Sequence, residues 1–149
     1  MDNHAVFLGL GTNLGDKETN MLNALEEIKR RIGEITSLSS FYASEPVGFE
    51  SENLFLNAVC CVQTQLSPYE VLSATQDIER NLGRTQKSIN REYHDRTMDI
   101  DILLYDNLCI NTPELTIPHP FMKDRDFVMT PLKEILDSQS LSDLEKRLH

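Results

Sequence analysis

At 149 residues and 17.1 kDa, with 40% of them hydrophobic, the chain is long enough for one domain with a substantial core. It holds no apolar run near 18 residues and no basic-then-apolar leader, so neither a membrane span nor a signal peptide is expected. A net charge of −10 disfavours a general nucleic-acid or anionic-membrane binder.

Three cysteines (Cys60, Cys61 and Cys109) have no metal-ligand spacing and cannot all pair, and two are adjacent in an apolar strand-like run, so buried thiols in a reducing cytoplasm are expected. His4 to Leu10 reads as a buried first strand. Gly9, Gly11 and Gly15 follow, the last one place late for a dinucleotide fingerprint, so they read as tight-turn glycines with Asp16 as a helix N-cap. Met21, Leu25, Ile28 and Ile32 predict a helix over Lys17 to Ile32, stopped by Gly33. Glu34 to Tyr42 is expected to be extended, and Ala43 to Asn53, with Pro46 and Gly48, to be a loop. Leu54 to Leu66 is almost continuously apolar and reads as a central strand, with Phe55 and Asn57 on one face. Ser67, Pro68 and Glu70 spell a capped helix start. Val71, Leu72, Thr75, Ile78 and Leu82 form that helix's buried stripe, Gln76 and Glu79 share its flank, and Gly83 ends it.

Arg84 to Asp95 is polar and aperiodic, and its dozen residues are long for a loop in a compact domain, which points to function. No Lys or Arg occurs between Ile32 and Glu79, yet five of the 14 basic residues fall between Arg80 and Arg96. An acidic protein that gathers cations in one place suits a discrete anion. Next comes an alternating strand in which Met98, Ile100, Ile102 and Leu104 point to a core, while Asp99, Asp101 and Leu103 point away. Carboxylates spaced this way lie about 6.5–7 Å apart at Cα. They suit one divalent ion between them or two ions bridged by phosphate oxygens; a plain solvent-facing strand side is the other reading.

Asp106-Asn107 is expected to turn into Leu108 to Ile110 and close a hairpin. Pro113, Pro118 and Pro120 keep the next stretch irregular. Phe127 to Leu136 reads as a helix interrupted by Pro131, and Leu141 to Leu148 as a terminal helix. The order predicts a single domain over 1–149: a βαββαβ, ferredoxin-like α+β sandwich with a C-terminal hairpin and short helices added. Both main helices cover one sheet face, leaving the other free with Asp99, Asp101, Phe55 and Asn57 on it.

The chain resembles the hydroxymethyl-dihydropterin pyrophosphokinase family nearly end to end. The resemblance rests on Gly9 to Asp16, Ser39-Ser40-Phe41-Tyr42 with Glu45-Pro46-Val47-Gly48, and Phe55-Leu56-Asn57-Ala58. It continues through Gln76-Asp77-Ile78-Glu79 with Gly83-Arg84, Arg96 to Tyr105, and Ile117 to Phe127. It implies transfer of pyrophosphate from ATP to 6-hydroxymethyl-7,8-dihydropterin, with two Mg²⁺ ions on Asp99 and Asp101. Gln76, Glu79, Arg84, Lys87, Thr116, His119 and Arg125 would then meet ATP, and Arg96 the phosphates. Phe55 and Phe127 would sandwich the pterin, with Asn57 and the backbone from Ser44 to Val47 reading its polar edge. The partners implied are these small molecules, with no nucleic acid and no membrane, for a cytoplasmic monomer or weak dimer. Gln86 and Glu114 depart from the family's basic residues, and Tyr93 from its Trp. A sensor on the same sandwich would not need the paired aspartates, and an RNA-binding sheet would be basic.

Overall fold

Strand β1 (His4–Thr12) runs through the middle of an antiparallel sheet in the computed structural model, which describes residues 3–44, 54–83 and 98–148. It pairs with β4 (Phe55–Thr64) on one side and β5 (Asp99–Tyr105) on the other. Strands β2 (Gly33–Leu38) and β3 (Tyr42–Ser44) share the outer edge of β4, giving the order β2-β4-β1-β5 with β3 also on β4. Helices α1 (Lys17–Arg31) and α2 (Pro68–Gly83) complete the βαββαβ order of a ferredoxin-like sandwich, as the patterning predicts.

Both helix starts follow their local chemistry. Asp16 Oδ1 accepts from the Thr19 N–H at 3.1 Å. At α2 the Ser67 N–H donates to Glu70 Oε1 at 2.8 Å and the Glu70 N–H to Ser67 Oγ at 3.2 Å, a reciprocal box. The two helices press Met21, Ala24, Ile28, Val71 and Ile78 onto Val6, Leu8, Ala58, Val62, Ile100 and Ile102. Each large apolar side chain buried there contributes about 1.5–3 kcal/mol.

The opposite face is only half free, which corrects the expectation. Helices α3 (Asp126–Ile135) and α4 (Ser138–Leu148) close part of it, packing Val128, Leu132 and Leu144 against Val59 and Leu103. Leu103 is 1% exposed because this second core receives it. A bulge also shifts parity: Phe7 pairs Leu104 while Leu8 pairs Ile102, so Leu104 joins the second core and Tyr105 returns to the first. Helix α3 runs through Pro131 uninterrupted, and burial of Pro131 and Leu132 offsets the lost backbone bond.

Five local expectations also shift. Gly33 opens β2 rather than ending α1, whose C-cap is Ile32; a Cβ on Gly33 would lie 1.9 Å from the Gln63 carbonyl oxygen. The extended stretch after it breaks at Ser39, where the Val59 N–H donates to Ser39 Oγ at 2.9 Å instead of to a strand carbonyl. Pairing resumes at Tyr42, so Ala43 and Ser44 are strand, not loop. The C-terminal hairpin joins β6 (Ile110–Asn111) to β7 (Thr116–Ile117) rather than to β5, and α4 starts at Ser138, capped by Asp137 Oδ1 on the Ser140 N–H at 2.7 Å. All three cysteines are free: Cys60 is buried, which pushes its thiol up to about 12, Cys61 is half-buried and Cys109 is exposed. Among the described residues no helix is long and apolar enough to cross a membrane.

Candidate active site

The half of the second face that α3 and α4 leave open is organised by two glycines. Gly11 lies between Asn57 of β4 and Asp99 of β5, and Gly9 between Val59 and Asp101. These glycines are strand residues, so the tight-turn reading holds only for Gly15, which has φ 67°. With no Cβ at the centre of the sheet, neighbouring side chains lean inward over the backbone. A Cβ on Gly11 would meet Asn57 Oδ1 at 3.3 Å and the Phe55 ring at 3.5 Å. The sequence signal was a period-two Gly-x-Gly inside an apolar run, which strand logic treats as room for close approach.

Asn57 is 5% exposed and held in one orientation. Its Nδ2 donates to the Tyr42 carbonyl at 3.1 Å and to Ser44 Oγ at 2.7 Å. Oδ1 therefore lies on the Gly11 side.

Asp99 and Asp101 are half-buried on the same face, as alternation predicts. Behind them stands Glu79 of α2. The Ile100 N–H, on the outer edge of β5, donates to Glu79 Oε2 at 2.8 Å. Burial pushes the Glu79 carboxyl up to about 8, the Asp99 and Asp101 charges adding to the rise while the Ile100 bond opposes it. Glu79 thus holds its proton more tightly than a free carboxyl does, beside two aspartates. Gln76, one turn earlier on α2, is exposed.

From the C-terminal side, the His119 N–H donates to the Leu103 carbonyl at 3.0 Å. Burial and the nearby Arg125 charge hold the His119 imidazole below its ordinary value, against the opposing pull of Asp99, so the ring is neutral at pH 7. The Arg125 guanidinium sits 5.6 Å from the ring centres of both Phe121 and Phe127, a bracketed cation. Thr116 lies on β7, half-buried. Phe127 is the second residue of α3 and packs against the second core, partly buried.

The structure thus brings Phe55, Asn57, Asp99 and Asp101 to one sheet face, Ser44 to the Asn57 amide, Glu79 behind the aspartates, and Arg125 onto Phe127. Val47, Arg84, Lys87 and Arg96, with Gln86, Arg91 and Tyr93, lie outside the described residues. Two contributors escaped the sequence reading: the glycine pair, and the Tyr42 backbone that orients Asn57.

Among the described residues no cluster of three or more His, Cys, Asp or Glu side chains forms a protein-only metal cage. Two half-buried aspartates on one strand fit Mg²⁺, which takes one or two carboxylates and completes its shell from phosphate and water.

An antiparallel α+β sandwich that puts paired acids beside an aromatic and an oriented amide belongs with small-molecule transferases rather than with basic nucleic-acid readers. Residues 7–137 match the family model described as 7,8-dihydro-6-hydroxymethylpterin-pyrophosphokinase, and the chain belongs to that family. A Porphyromonas gingivalis (strain W83) relative named 2-amino-4-hydroxy-6-hydroxymethyldihydropteridine pyrophosphokinase is 50% identical over 131 residues, covering 87% of this chain and 89% of its own. A Bacillus subtilis (strain 168) relative of the same name is 40% identical over 134 residues, covering 89% of this chain and 78% of its own. The wild-type Plasmodium falciparum HPPK-DHPS structure with pteroate superimposes with a TM-score of 0.69 at 15% identity, covering 89% of this chain and 39% of that one. A second HPPK-DHPS structure, in complex with substrates, gives a TM-score of 0.68 at 17% identity, with coverage of 90% and 40%. The chain spans about two fifths of those solved chains, and likeness at that identity speaks for the fold alone. Family membership makes the chain an enzyme: a pyrophosphoryl transferase of folate biosynthesis, with ATP as co-substrate.

Proposed function

We propose that the open half of the second sheet face carries pyrophosphoryl from ATP to the hydroxymethyl oxygen of 6-hydroxymethyl-7,8-dihydropterin, releasing AMP. The observation that carries this reading is the register: Asp99 and Asp101 lie opposite Gly11 and Gly9, on the face that also holds Phe55 and Asn57. The pterin lies over Gly11, its ring between Phe55 and Phe127 and its polar edge on Asn57 and the backbone from Ser44 to Val47. Asp99 and Asp101 hold two Mg²⁺ ions. When bound, these supply charge neutralisation on the phosphate oxygens and fix the chain for in-line transfer. Gln76, Glu79, Arg84, Lys87, Thr116, His119 and Arg125 contact the nucleotide, with Arg96 on the phosphates. Neutral His119 acts as a hydrogen-bonding group rather than a charge. Asp99, beside the acceptor hydroxyl, is the candidate to receive its proton.

On this reading residues 1–149 form one domain, since a single sheet backs both apolar cores. The molecule works as a monomer or weak dimer in the cytoplasm, where Cys60 and Cys61 stay reduced. Incubation with ATP, Mg²⁺ and the pterin tests the reaction. AMP as co-product supports pyrophosphoryl transfer, and ADP overturns it.

A further inference from the structure

We propose that Glu134, to which nothing above assigns a role, is a positioning residue for the pterin slot, tying α3 and its Phe127 to the strand that carries Ser44. The tie is made at three donors. Glu134 Oε1 accepts from the Ser40 N–H at 2.9 Å and from Ser40 Oγ at 2.8 Å, and Oε2 accepts from the Tyr42 hydroxyl at 2.6 Å. Ser40 lies in the break between β2 and β3, and Tyr42 is the first residue of β3. Tyr42 faces two ways. Its phenol meets the α3 carboxylate, and its carbonyl takes the Asn57 amide that leaves Asn57 Oδ1 on the Gly11 side.

Phe127 stands seven residues before Glu134 on the same helix, two turns and about 10 Å along its axis. Residues so spaced share a helix face, so a roll or slide of α3 at Glu134 is carried to the Phe127 ring. Val128 and Leu132 already press α3 onto Val59 and Leu103. That contact is apolar and non-directional. It resists lifting the helix off the sheet more than sliding along it. Directional bonds from a charged acceptor set the slide. The Tyr42 and Ser40 donors hold the Glu134 carboxyl below its usual range, so it stays ionised through neutral pH. Glu134 is exposed, so its removal should read out in ligand placement more than in folding.

The inference rests on the reading of Phe127 and Asn57 as pterin contacts, and the test separates the two. Dissociation constants for the pterin and for a non-hydrolysable ATP analogue are measured separately by calorimetry, with thermal midpoints, for Phe127→Ala, Glu134→Ala, Glu134→Gln and Tyr42→Phe. Glu134→Ala should weaken the pterin about tenfold and Tyr42→Phe about threefold, the range for losing charged and single hydrogen bonds. ATP-analogue affinity should stay within about twofold. Glu134→Gln should fall between wild type and Glu134→Ala, because its amide oxygen still accepts from Ser40. The double variant Tyr42→Phe/Glu134→Ala should be no worse than Glu134→Ala alone. Should Glu134→Ala fail to fold, Tyr42→Phe carries the test, since it removes only one hydroxyl. Loss of pterin affinity in Phe127→Ala but in neither clamp variant would overturn the positioning role alone. Unchanged pterin affinity in Phe127→Ala would overturn the pterin reading and the clamp with it. A lower thermal midpoint with unchanged pterin affinity would leave Glu134 a structural tie only.

Discussion

The two faces of the sheet are made by the same three strands under opposite rules. Toward α1 and α2, β1 presents Val6, Leu8 and Leu10, β4 presents Ala58, Cys60 and Val62, and β5 presents Ile100 and Ile102, all buried. One residue along each strand, the other face presents Gly9 and Gly11, Phe55 and Asn57, Asp99 and Asp101. The contrast teaches that strand parity divides the sheet: a step of one residue moves a side chain from the buried core to the open half-face. The apolar face can afford like charges stacked on the opposite side because its burial holds the sheet together. The open face has what an apolar core forbids, namely acids, an oriented amide and bare backbone.

That division can be broken most severely at the acids. Asp99→Asn or Asp101→Asn should lower turnover by about a thousandfold or more, roughly 4 kcal/mol of transition-state stabilisation. The thermal midpoint should be unchanged or slightly higher, because one of two repelling charges is gone. AMP release and thermal melts read the two quantities on one sample.

The converse change belongs on the other face. Leu8→Ala, one residue from Gly9, should cost about 2–5 kcal/mol of stability, since Leu8 is fully buried among α1 and α2 side chains. Pterin and nucleotide affinity, measured on the folded fraction, should hold. Denaturant midpoints check the first part and calorimetry the second.

Gly11→Val sharpens the comparison by adding bulk to the open face without charge. The new side chain meets Asn57 Oδ1 and the Phe55 ring, so overpacking of about 1–3 kcal/mol pushes these two side chains off their places on the open face. A raised pterin dissociation constant with an unchanged nucleotide constant is the expected result.

A further effect concerns pH. Folding raises the Glu79 carboxyl from 4.5 to about 8, so the folded protein binds the proton more tightly than the unfolded chain. Its contribution is complete below pH 4.5 and is lost as pH rises through about 8. Denaturant midpoints of the metal-free protein should therefore fall from pH 5 to pH 9, and Glu79→Gln should flatten that slope. A flat wild-type profile would remove Glu79 from the acidic cluster.

Much of this was legible in the chain because local rules decided it. Alternation from Met98 to Ile102 put the acids opposite the core, and Asp16, Ser67 and Glu70 marked the helix starts by capping chemistry. What escaped depended on contacts distant in sequence. Leu103 kept its alternation but met a C-terminal helix pair instead of an open face, and Leu104 left the alternation because a bulge shifted its parity. Gly33 looked like a helix stop until the Gln63 carbonyl appeared beside it. Gly9 and Gly11 were mistaken for turn residues because turns are where glycine usually signals most strongly. The bond from Tyr42 to Glu134 joins residues 92 positions apart, and no local pattern announces it.

The central claim is that Asp99 and Asp101 make the open half-face an ion-dependent transfer site. A count of bound Mn²⁺, standing in for Mg²⁺ and followed by electron paramagnetic resonance with a non-hydrolysable ATP analogue and the pterin present, tests it most directly. The account predicts two tightly held ions per wild-type chain and their loss in the Asp99→Asn/Asp101→Asn double variant, with both cores still folded. Two ions held by that variant at wild-type affinity would contradict it.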